Sequence, residues 1–527
     1  MEKSNTKEKI ANNISIILIG IIITRIISFI GTSLIIRMLE PHNYGLLNIS
    51  FAMPYIFTLI SDMGITSAII RFCARYKHNN EIKKLKIAIK VAILSSLTIS
   101  SVNTIFLIIM SYKLSLLLFN TKYYEFLLQV AALGVFSNIL YNVTIGILNG
   151  LEKMKNVSIS MILQALIRSV LSPILIVYYG LLGAMFGFII APLIVGSSNL
   201  CIILYKNIKI DSTPDISKFS LLKEMIIFGA PILISISIEP LTFQIYNLLL
   251  IQYATILEIG NFNVVLVFSS IIAILINPFD TSLYPAFSKE KISKINLSIY
   301  NEIYNTFMRH MSILITPIIG IVPIFSPLIV LFIFGNSYKL AISYLSYFML
   351  YYVSISFGKT VLHSFLKGQG YSVISAMISI LSVFLSIIIT LVLIKYIGII
   401  IVYISLSISS LLMTYIGHNW IEKKFNLSID IKTIVKINLV VFIDYILILL
   451  INEYLKFNIY LKYIIDFLVF IMFYLIMLIK YEIINEKDLY ELNNLYGKII
   501  LIKQIISIFI KIELFIYRKI NKKVDKL

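Results

Sequence analysis

The sequence predicts an all-α polytopic membrane protein with about 14 transmembrane helices, arranged as two parallel-repeat six-helix lobes plus two extra C-terminal helices. Of its 527 residues, 59% are hydrophobic and only 13% are charged, and the mean hydropathy is +0.94. Ordinary soluble domains are roughly 45–50% apolar. The hydrophobic residues recur in runs of about 20 or more, enough to cross roughly 30 Å of hydrocarbon as a helix. These observations exclude soluble, disordered, nucleic-acid-binding and coiled-coil proteins.

The first span follows a short polar start at residues 1–9. The apolar stretch 11–36 is longer than the hydrophobic region of a cleavable signal peptide, so it is predicted to stay in the membrane. Gly180 marks a tight turn between two of the later spans. The thirteen further spans are predicted at about 46–70, 87–110, 124–148, 157–179, 181–205, 225–251, 262–284, 310–333, 341–364, 372–395, 398–418, 433–451 and 459–480.

The distribution of basic residues supports this count and predicts an orientation. With the N-terminus inside, the inside segments hold 35 Lys and Arg, the outside segments hold 7, and 3 lie within spans. Basic residues concentrate in cytoplasmic loops. We therefore expect a multi-pass protein of the cytoplasmic membrane with both termini in the cytoplasm. Basic loops also account for the formal net charge of +19, so no nucleic-acid partner is implied.

Matches at a fixed offset of 218 residues indicate an internal duplication. Because six spans separate the matched positions, both halves keep the same orientation and form parallel repeats. The matches join 39–44 to 257–262, Gly150 to Gly368, and 178–180 to 396–398.

The repeat divides the chain into lobes and additions. The final segment alternates basic and apolar residues as in a helix lying on the membrane surface, where it would anchor the chain to lipid headgroups. The predicted parts are an N-terminal lobe at 1–205, a cytoplasmic linker at 206–224, a C-terminal lobe at 225–418, the two added spans at 433–480 and a basic amphipathic tail at 481–527.

Four ionisable residues lie deepest in the predicted spans: Arg25, Arg168, Glu239 and Asp444. Charges in a bilayer are costly and need a partner, a wet cavity or a function. Arg25 and Arg168 would bind a phosphate-bearing substrate, because guanidinium groups present forked donors that match phosphate oxygens. Glu239, beside Pro240, would bind a coupling proton or sodium ion. Alternatively, an arginine forms a structural ion pair with Glu239 or extends to the interface. Asp444 is assigned to structure or to a lipid groove.

The cysteine and histidine content argues against metal or disulfide chemistry. Cys73 and Cys201 are too few for a disulfide framework, and five histidines form no metal-binding pattern. No cofactor and no metal site are predicted. The predicted outside loops, of about a dozen residues or fewer, also leave little room for catalytic acids, so the chain is not expected to be an enzyme.

Several short motifs resemble those of polysaccharide flippases in the multidrug/oligosaccharidyl-lipid/polysaccharide exporter superfamily. The segment Arg37-Met38-Leu39-Glu40-Pro41-His42-Asn43-Tyr44-Gly45 resembles the pattern R-x-L-G-P-x-x-Y-G of that family. The resemblance covers residues 10 to about 420 in the right order. The further matches are Asp62-Met63-Gly64, Asn149-Gly150, Tyr179-Gly180-Leu181-Leu182-Gly183, Pro285, and Phe334-Gly335-Asn336-Ser337-Tyr338 with Ala341.

This resemblance implies a two-lobed transporter that flips a polyprenyl-diphosphate-linked oligosaccharide by alternating access through a cationic cavity. Arg25 and Arg168 are assigned to that cavity by position, and Arg37 and Arg71 to its rims. The implied partners are the lipid-linked oligosaccharide, membrane lipids, a proton or sodium ion for antiport, and glycan-assembly enzymes. The chain departs from the family in two places. Glu40 replaces a common glycine, and Asn247 stands near a common aspartate of the coupling-ion site.

Three other functions stay open at the level of sequence. A drug or cation exporter of the same superfamily would favour carboxylates in the cavity, whereas this sequence offers two arginines against Glu239. A membrane glycosyltransferase or polymerase would need longer outside loops. A scaffold for glycan assembly would tolerate changes of the buried charges.

Overall fold

The computed structural model describes residues 2–207, 217–288, 297–454 and 459–481. Helices make up almost all of this part of the chain, with two short 3₁₀ turns at Asn336–Tyr338 and Leu350–Tyr352. The helices are α1 (Glu2–Asp62), α2 (Ile65–His78), α3 (Ile82–Phe119), α4 (Glu125–Gly150), α5 (Met154–Asn207), α6 (Lys218–Leu250), α7 (Ile256–Leu266), α8 (Phe268–Ser288), α9 (Leu297–Ile333), α10 (Leu340–Met349), α11 (Val353–Ser356), α12 (Lys359–Gly368), α13 (Ser372–Ile397), α14 (Ile400–Phe425), α15 (Ile431–Tyr454) and α16 (Ile459–Lys480).

The helical segments reproduce the predicted number of spans. Within the described ranges, eleven helices are long and apolar enough to cross a membrane, and α10–α12 form a twelfth span with a 43° bend. Two of the long helical stretches each contain a non-helical residue, Glu40 in α1 and Gly180 in α5. Each break divides one stretch into two spans, which gives fourteen. The predicted fourteen-helix membrane fold is therefore confirmed.

Two predicted spans differ in detail from the structure. The span expected at 341–364 is bent at Gly358, which has φ 85° and begins α12. The span expected at 262–284 starts earlier, at Ile256, and is divided between α7 and α8 at Val267. A capping box explains the earlier start, because the Thr255 and Glu258 side chains each accept a hydrogen bond from the other's backbone N–H.

The described residues cluster into two compact units. The first contains the residues up to Leu275 together with Val330–Ala341 and Leu391–Val402. The second contains Ile276–Ile329, Ile342–Thr390 and the described residues from Tyr403 onward. The repeat-based lobes at 1–205 and 225–418 stay a prediction. The tail from residue 482 onward and residues 208–216 of the predicted linker lie outside the described residues.

Small residues bring helices of the first unit close together. A Cβ atom added to Gly31 would lie 1.9 Å from Ser169 Oγ, and one added to Gly20 would lie 2.6 Å from Ser158 Cβ. Ser169 also donates a hydrogen bond to the Ile27 carbonyl at 3.2 Å. Small residues permit such close backbone approach in membrane helices. These contacts fix α5, which carries Arg168, against α1.

Candidate functional site: a buried guanidinium in the first unit

Arg168 lies near the middle of the first apolar half of α5, where the bilayer centre is expected. Its side chain is half-buried, and its Nε atom is buried without a hydrogen-bond acceptor in the described part of the protein. Neither of the two ion pairs found among the described residues includes it. A guanidinium that is desolvated without a counter-anion is energetically unfavourable and marks a functional site in a membrane protein. Arg168 therefore keeps donors available for a ligand.

Aromatic side chains from three other spans surround this guanidinium. The Phe188 ring lies under it, with 5.1 Å between Cζ and the ring centroid. Tyr44 and Tyr141 lie close enough to interact with it electrostatically. Phe188 is packed in turn on Phe51, with ring centroids 5.8 Å apart. We call Arg168, Tyr44, Tyr141 and Phe188 the arginine cluster.

The local structure explains how these residues are positioned. Tyr44 is buried just after the break at Glu40, and its carbonyl accepts a hydrogen bond from Asn48 at 2.8 Å. Tyr141 lies on α4, which packs closely on α5. Phe188 follows Gly180, where the chain reverses into the second half of α5. The cluster thus depends on both helix breaks.

The chemistry of the arginine cluster suits an oxyanion beside apolar or ring-shaped groups. Arginine offers five N–H donors in a planar fork, and the two tyrosine hydroxyls can add further donors. The face of Phe188 holds the guanidinium plane by a cation–π contact. Carboxylates would be needed for a cationic ligand, and none lies within ion-pair distance of Arg168 among the described residues.

The other predicted cationic residues lie elsewhere on the first unit. Arg25 is exposed, about 140° around α1 from the Gly20–Gly31 face that packs on α5. Arg37 is exposed just before the break at Glu40. Arg71 is exposed on α2, with Cζ 4.2 Å from the centroid of the Phe228 ring on α6.

The two predicted coupling-ion residues differ in burial. Glu239 is exposed on α6. Asn247 is fully buried, and its Oδ1 accepts a hydrogen bond from Asn263 Nδ2 at 2.7 Å. The same Asn263 amide donates to the Ile259 carbonyl at 2.9 Å. The Asn247–Asn263 pair therefore joins α6 to α7 as a bonded amide pair.

Sequence reasoning found Arg168 but missed its aromatic partners. Tyr44 belongs to the motif Asn43-Tyr44-Gly45, which was read only for family resemblance. Tyr141 is adjacent in sequence to Asn142, and Phe188 is one of 33 phenylalanines. Only Tyr44 therefore carried a signal that could have identified it.

Comparisons with known proteins agree with the fold. A family model described as polysaccharide biosynthesis protein matches residues 10–291. A solved structure of the lipid II flippase MurJ, in an inward closed conformation, is similar with a TM-score of 0.68 and 17% identity; the match covers 88% of this chain and 98% of the other. Comparison with curated protein sequences found no match.

Two transporters of the MOP superfamily also share the fold. An inward-facing multidrug resistance MATE family transporter has a TM-score of 0.62 at 17% identity, covering 76% of this chain and 94% of the other. A transporter from Pyrococcus furiosus has a TM-score of 0.53 at 16% identity, with 78% and 96% covered. At these identities the likeness concerns the fold alone.

Proposed function

We propose that this chain, which belongs to the polysaccharide biosynthesis protein family, flips a polyprenyl-diphosphate-linked oligosaccharide across the cytoplasmic membrane. The observation that carries the proposal is Arg168, a guanidinium in mid-span with a buried Nε that has no acceptor among the described residues. The fold shared with the MurJ lipid II flippase supports the same activity. The family description, polysaccharide biosynthesis protein, is compatible with a role in glycan assembly.

The physical obstacle to flipping is the polar headgroup. Moving ionic groups into hydrocarbon without partners costs many kcal/mol. The arginine cluster offsets this cost, because Arg168 can bind diphosphate oxygens while Tyr44 and Tyr141 bind oxygens of the diphosphate or sugar. The lipid tail can stay in the bilayer throughout. Rocking of structural repeats around such a site would expose the headgroup to each side in turn.

The remaining arginines extend this proposal to the path of the headgroup. Arg25, Arg37 and Arg71 are exposed and are proposed to attract the diphosphate before and after it reaches Arg168. A proton or sodium gradient would drive the cycle through Glu239, with Asn247 supporting the ion site. In that case Glu239→Gln transports without dependence on the ion gradients, whereas unchanged dependence assigns Glu239 to structure.

The decisive experiment is a translocation assay in proteoliposomes that contain a polyprenyl-diphosphate oligosaccharide. A glycan-cleaving enzyme outside the vesicles reports exposure of the headgroup on the outer leaflet. We expect exposure with the wild type, loss with Arg168→Ala, a smaller loss with Arg25→Ala, and partial retention with Arg168→Lys. Lys122→Ala serves as the matched control, because Lys122 also lies over an aromatic ring, 5.1 Å from the Tyr112 centroid, outside the arginine cluster.

The same assay separates the proposal from its main competitor. The MATE fold likeness favours drug export as the second candidate. Full glycan exposure in Arg168→Ala contradicts the arginine cluster as the headgroup site. No exposure with several lipid-linked glycans, in protein shown to be folded, together with accumulation of a cationic dye, would establish export instead.

A further inference from the structure

The second unit contains a carboxylate whose burial the proposed headgroup site does not explain. Asp444 lies in the middle of α15, thirteen residues after Ile431 and ten before Tyr454. Its side chain is fully buried, and both carboxylate oxygens lack a hydrogen-bond partner within the described ranges. An ionised carboxylate in that position would face a large desolvation cost with nothing to offset it.

The surroundings of Asp444 are aliphatic and closely packed. Val440, Val441 and Ile448 are buried on the same face of α15. Gly320 of α9 allows close packing there, since a Cβ atom added to it would lie 2.4 Å from Val441 Cγ1 and 2.9 Å from the Phe470 ring of α16. Neither of the two ion pairs found among the described residues includes Asp444. A purely structural acid would instead be hydrogen-bonded, as Asp466 is.

Polar side chains also lie nearer both ends of α15, about 80–120° around the helix from Asp444. Six residues before Asp444, about 9 Å of helix rise, Asn438 donates to Ser356 Oγ at 2.9 Å. Ser356 in turn contacts Ser312 and Thr316 of α9 at 2.9 and 2.8 Å. Beyond that cluster, a cavity of about 130 Å³ opens at the start of α15, lined by Glu302, Asn305, Thr306, Arg309, Asp430, Thr433 and Ile434.

The other end of α15 carries a second polar pair. Asn452, eight residues or about 12 Å after Asp444, donates to Asp466 Oδ2 of α16 at 3.1 Å. The Oδ1 atom of Asn452 is buried without a partner among the described residues. Asp444 therefore lies between two polar groups that reach toward opposite ends of the helix.

Other ionisable groups on α15 and on the helices around it could also change their protonation with pH. Tyr474 of α16 donates its hydroxyl to the Ile313 carbonyl of α9 at 2.8 Å. The groups to be considered are Asp430, Lys432, Lys436, Tyr445 and Glu453 on α15, Lys462, Tyr463, Asp466 and Tyr474 on α16, Glu302, Tyr304, Arg309 and His310 on α9, and Tyr347, Tyr351, Tyr352 and Lys359 on α10–α12.

We propose that Asp444 is a proton-binding residue that, in addition to Glu239, is required to couple proton movement to transport. The carboxylate accepts one proton from one side of the membrane and becomes a neutral acid, which is the form suited to the aliphatic site shown here. The same O–H bond breaks when the site becomes hydrated, and the proton leaves toward the other side. Water joining the polar groups of α15 would carry the proton to and from Asp444. The coupling rests on the proposed transport function, whereas the proton binding itself can be measured without transport.

Infrared difference spectroscopy of the purified full-length protein tests proton binding directly. The C=O stretch of a protonated carboxylic acid is separate from that of a carboxylate, so a pH series reports its titration. We expect the wild type to show a protonated-acid band that disappears as the pH rises and that shifts on deuterium exchange. Asp444→Asn should lack this band, and Asp444→Glu should move it to a new frequency. A band unchanged in Asp444→Asn overturns the proposal.

Transport under a proton gradient tests the coupling. In the proteoliposome assay, a pH gradient should accelerate headgroup exposure by the wild type, and Asp444→Asn should lose that acceleration while downhill exposure persists. Asp62→Asn is the matched control, since Asp62 is also buried but accepts hydrogen bonds from Thr66 and takes no part in the proposed proton route, so it should keep the acceleration. Retained acceleration in Asp444→Asn refutes the coupling. Absence of all exposure in the wild type, with the titrating band present, refutes the proposed function and leaves proton binding by Asp444 standing.

Discussion

The breaks at Glu40 in α1 and at Gly180 in α5 each divide a long helix into two spans, but they differ in what makes the backbone conformation possible. Gly180 has φ 55° and ψ −129°, and a Cβ atom added there would meet nothing within 4 Å. Glu40 has φ 61° and ψ 166°, a conformation that is essentially restricted to glycine. The break at Gly180 is permitted because glycine accepts this conformation, whereas the break at Glu40 is imposed on a residue that disfavours its conformation.

The packing around each break explains the difference. After Gly180 the chain packs on its own preceding helix, where a Cβ atom on Gly183 would lie 2.0 Å from the Leu175 carbonyl oxygen. After Glu40 the contacts come from more than 200 residues away, since a Cβ atom on Gly260 would lie 1.8 Å from the Pro41 carbonyl oxygen. Tyr338 also donates its hydroxyl to the Ile36 carbonyl at 2.8 Å. Long-range contacts therefore hold the strained residue in place.

The largest effect should come from removing the close approach that holds the Glu40 break. Gly260→Leu places a side chain where the Pro41 carbonyl lies, so α1 and α7 must separate. We expect a loss of about 3 kcal/mol, because overpacking that displaces backbone typically costs about 1–3 kcal/mol and occasionally more. Thermal unfolding in detergent measures it. Leu257→Phe, at an exposed position of α7, is the control, and equal stability of the two variants contradicts the long-range explanation.

A smaller loss of stability is expected at Gly180, where the break depends on the residue itself. Gly180→Val has room for its side chain but must adopt a positive φ, so the strain alone should lower stability by about 1–3 kcal/mol. The same unfolding measurement applies. Tyr179→Val, at an exposed neighbouring position, should be close to neutral. A neutral Gly180→Val would show that the break tolerates a different backbone conformation.

Relief of the backbone strain at Glu40 should stabilise the protein. Glu40→Gly removes the strain of about 1–3 kcal/mol but gives the unfolded chain more freedom, which offsets about 0.5–1 kcal/mol. The net gain should be about 1 kcal/mol, seen as a higher unfolding temperature. Glu40→Gln keeps the strain and removes only the charge, so it should match the wild type. Stabilisation by Glu40→Gln instead would trace the effect to charge.

The smallest effect should follow loss of one hydrogen bond beside Glu40. Tyr338→Phe leaves the Ile36 carbonyl buried without that donor, at a cost of about 1 kcal/mol. The variant should unfold at a slightly lower temperature. Tyr123→Phe, whose hydroxyl belongs to an 83% exposed side chain, is the control and should be neutral. If both residues act on the same break, the stability of a combined Glu40→Gly and Tyr338→Phe variant should depart from the sum of the two single effects.

Much of the architecture could be read from the residues. The runs of apolar residues predicted fourteen spans, and the structure has them because only helices satisfy their own backbone hydrogen bonds in lipid. Arg168 could be selected as a candidate because an isolated charge in such a run is conspicuous. The partners Tyr141 and Phe188 could not be selected, since aromatic residues are abundant and their proximity depends on how four spans pack.

Hydrophobicity along the chain determined that this protein crosses the membrane many times, because the burial of apolar side chains in lipid depends on composition and length. The turn at Gly180 was also determined locally, because glycine accepts a positive φ. Tertiary structure decided the rest: the strained backbone at Glu40, the aromatic surroundings of Arg168 and the burial of Asp444 with no hydrogen-bond partner among the described residues. Each of these depends on contacts between distant segments, and residue order alone does not state which helices meet.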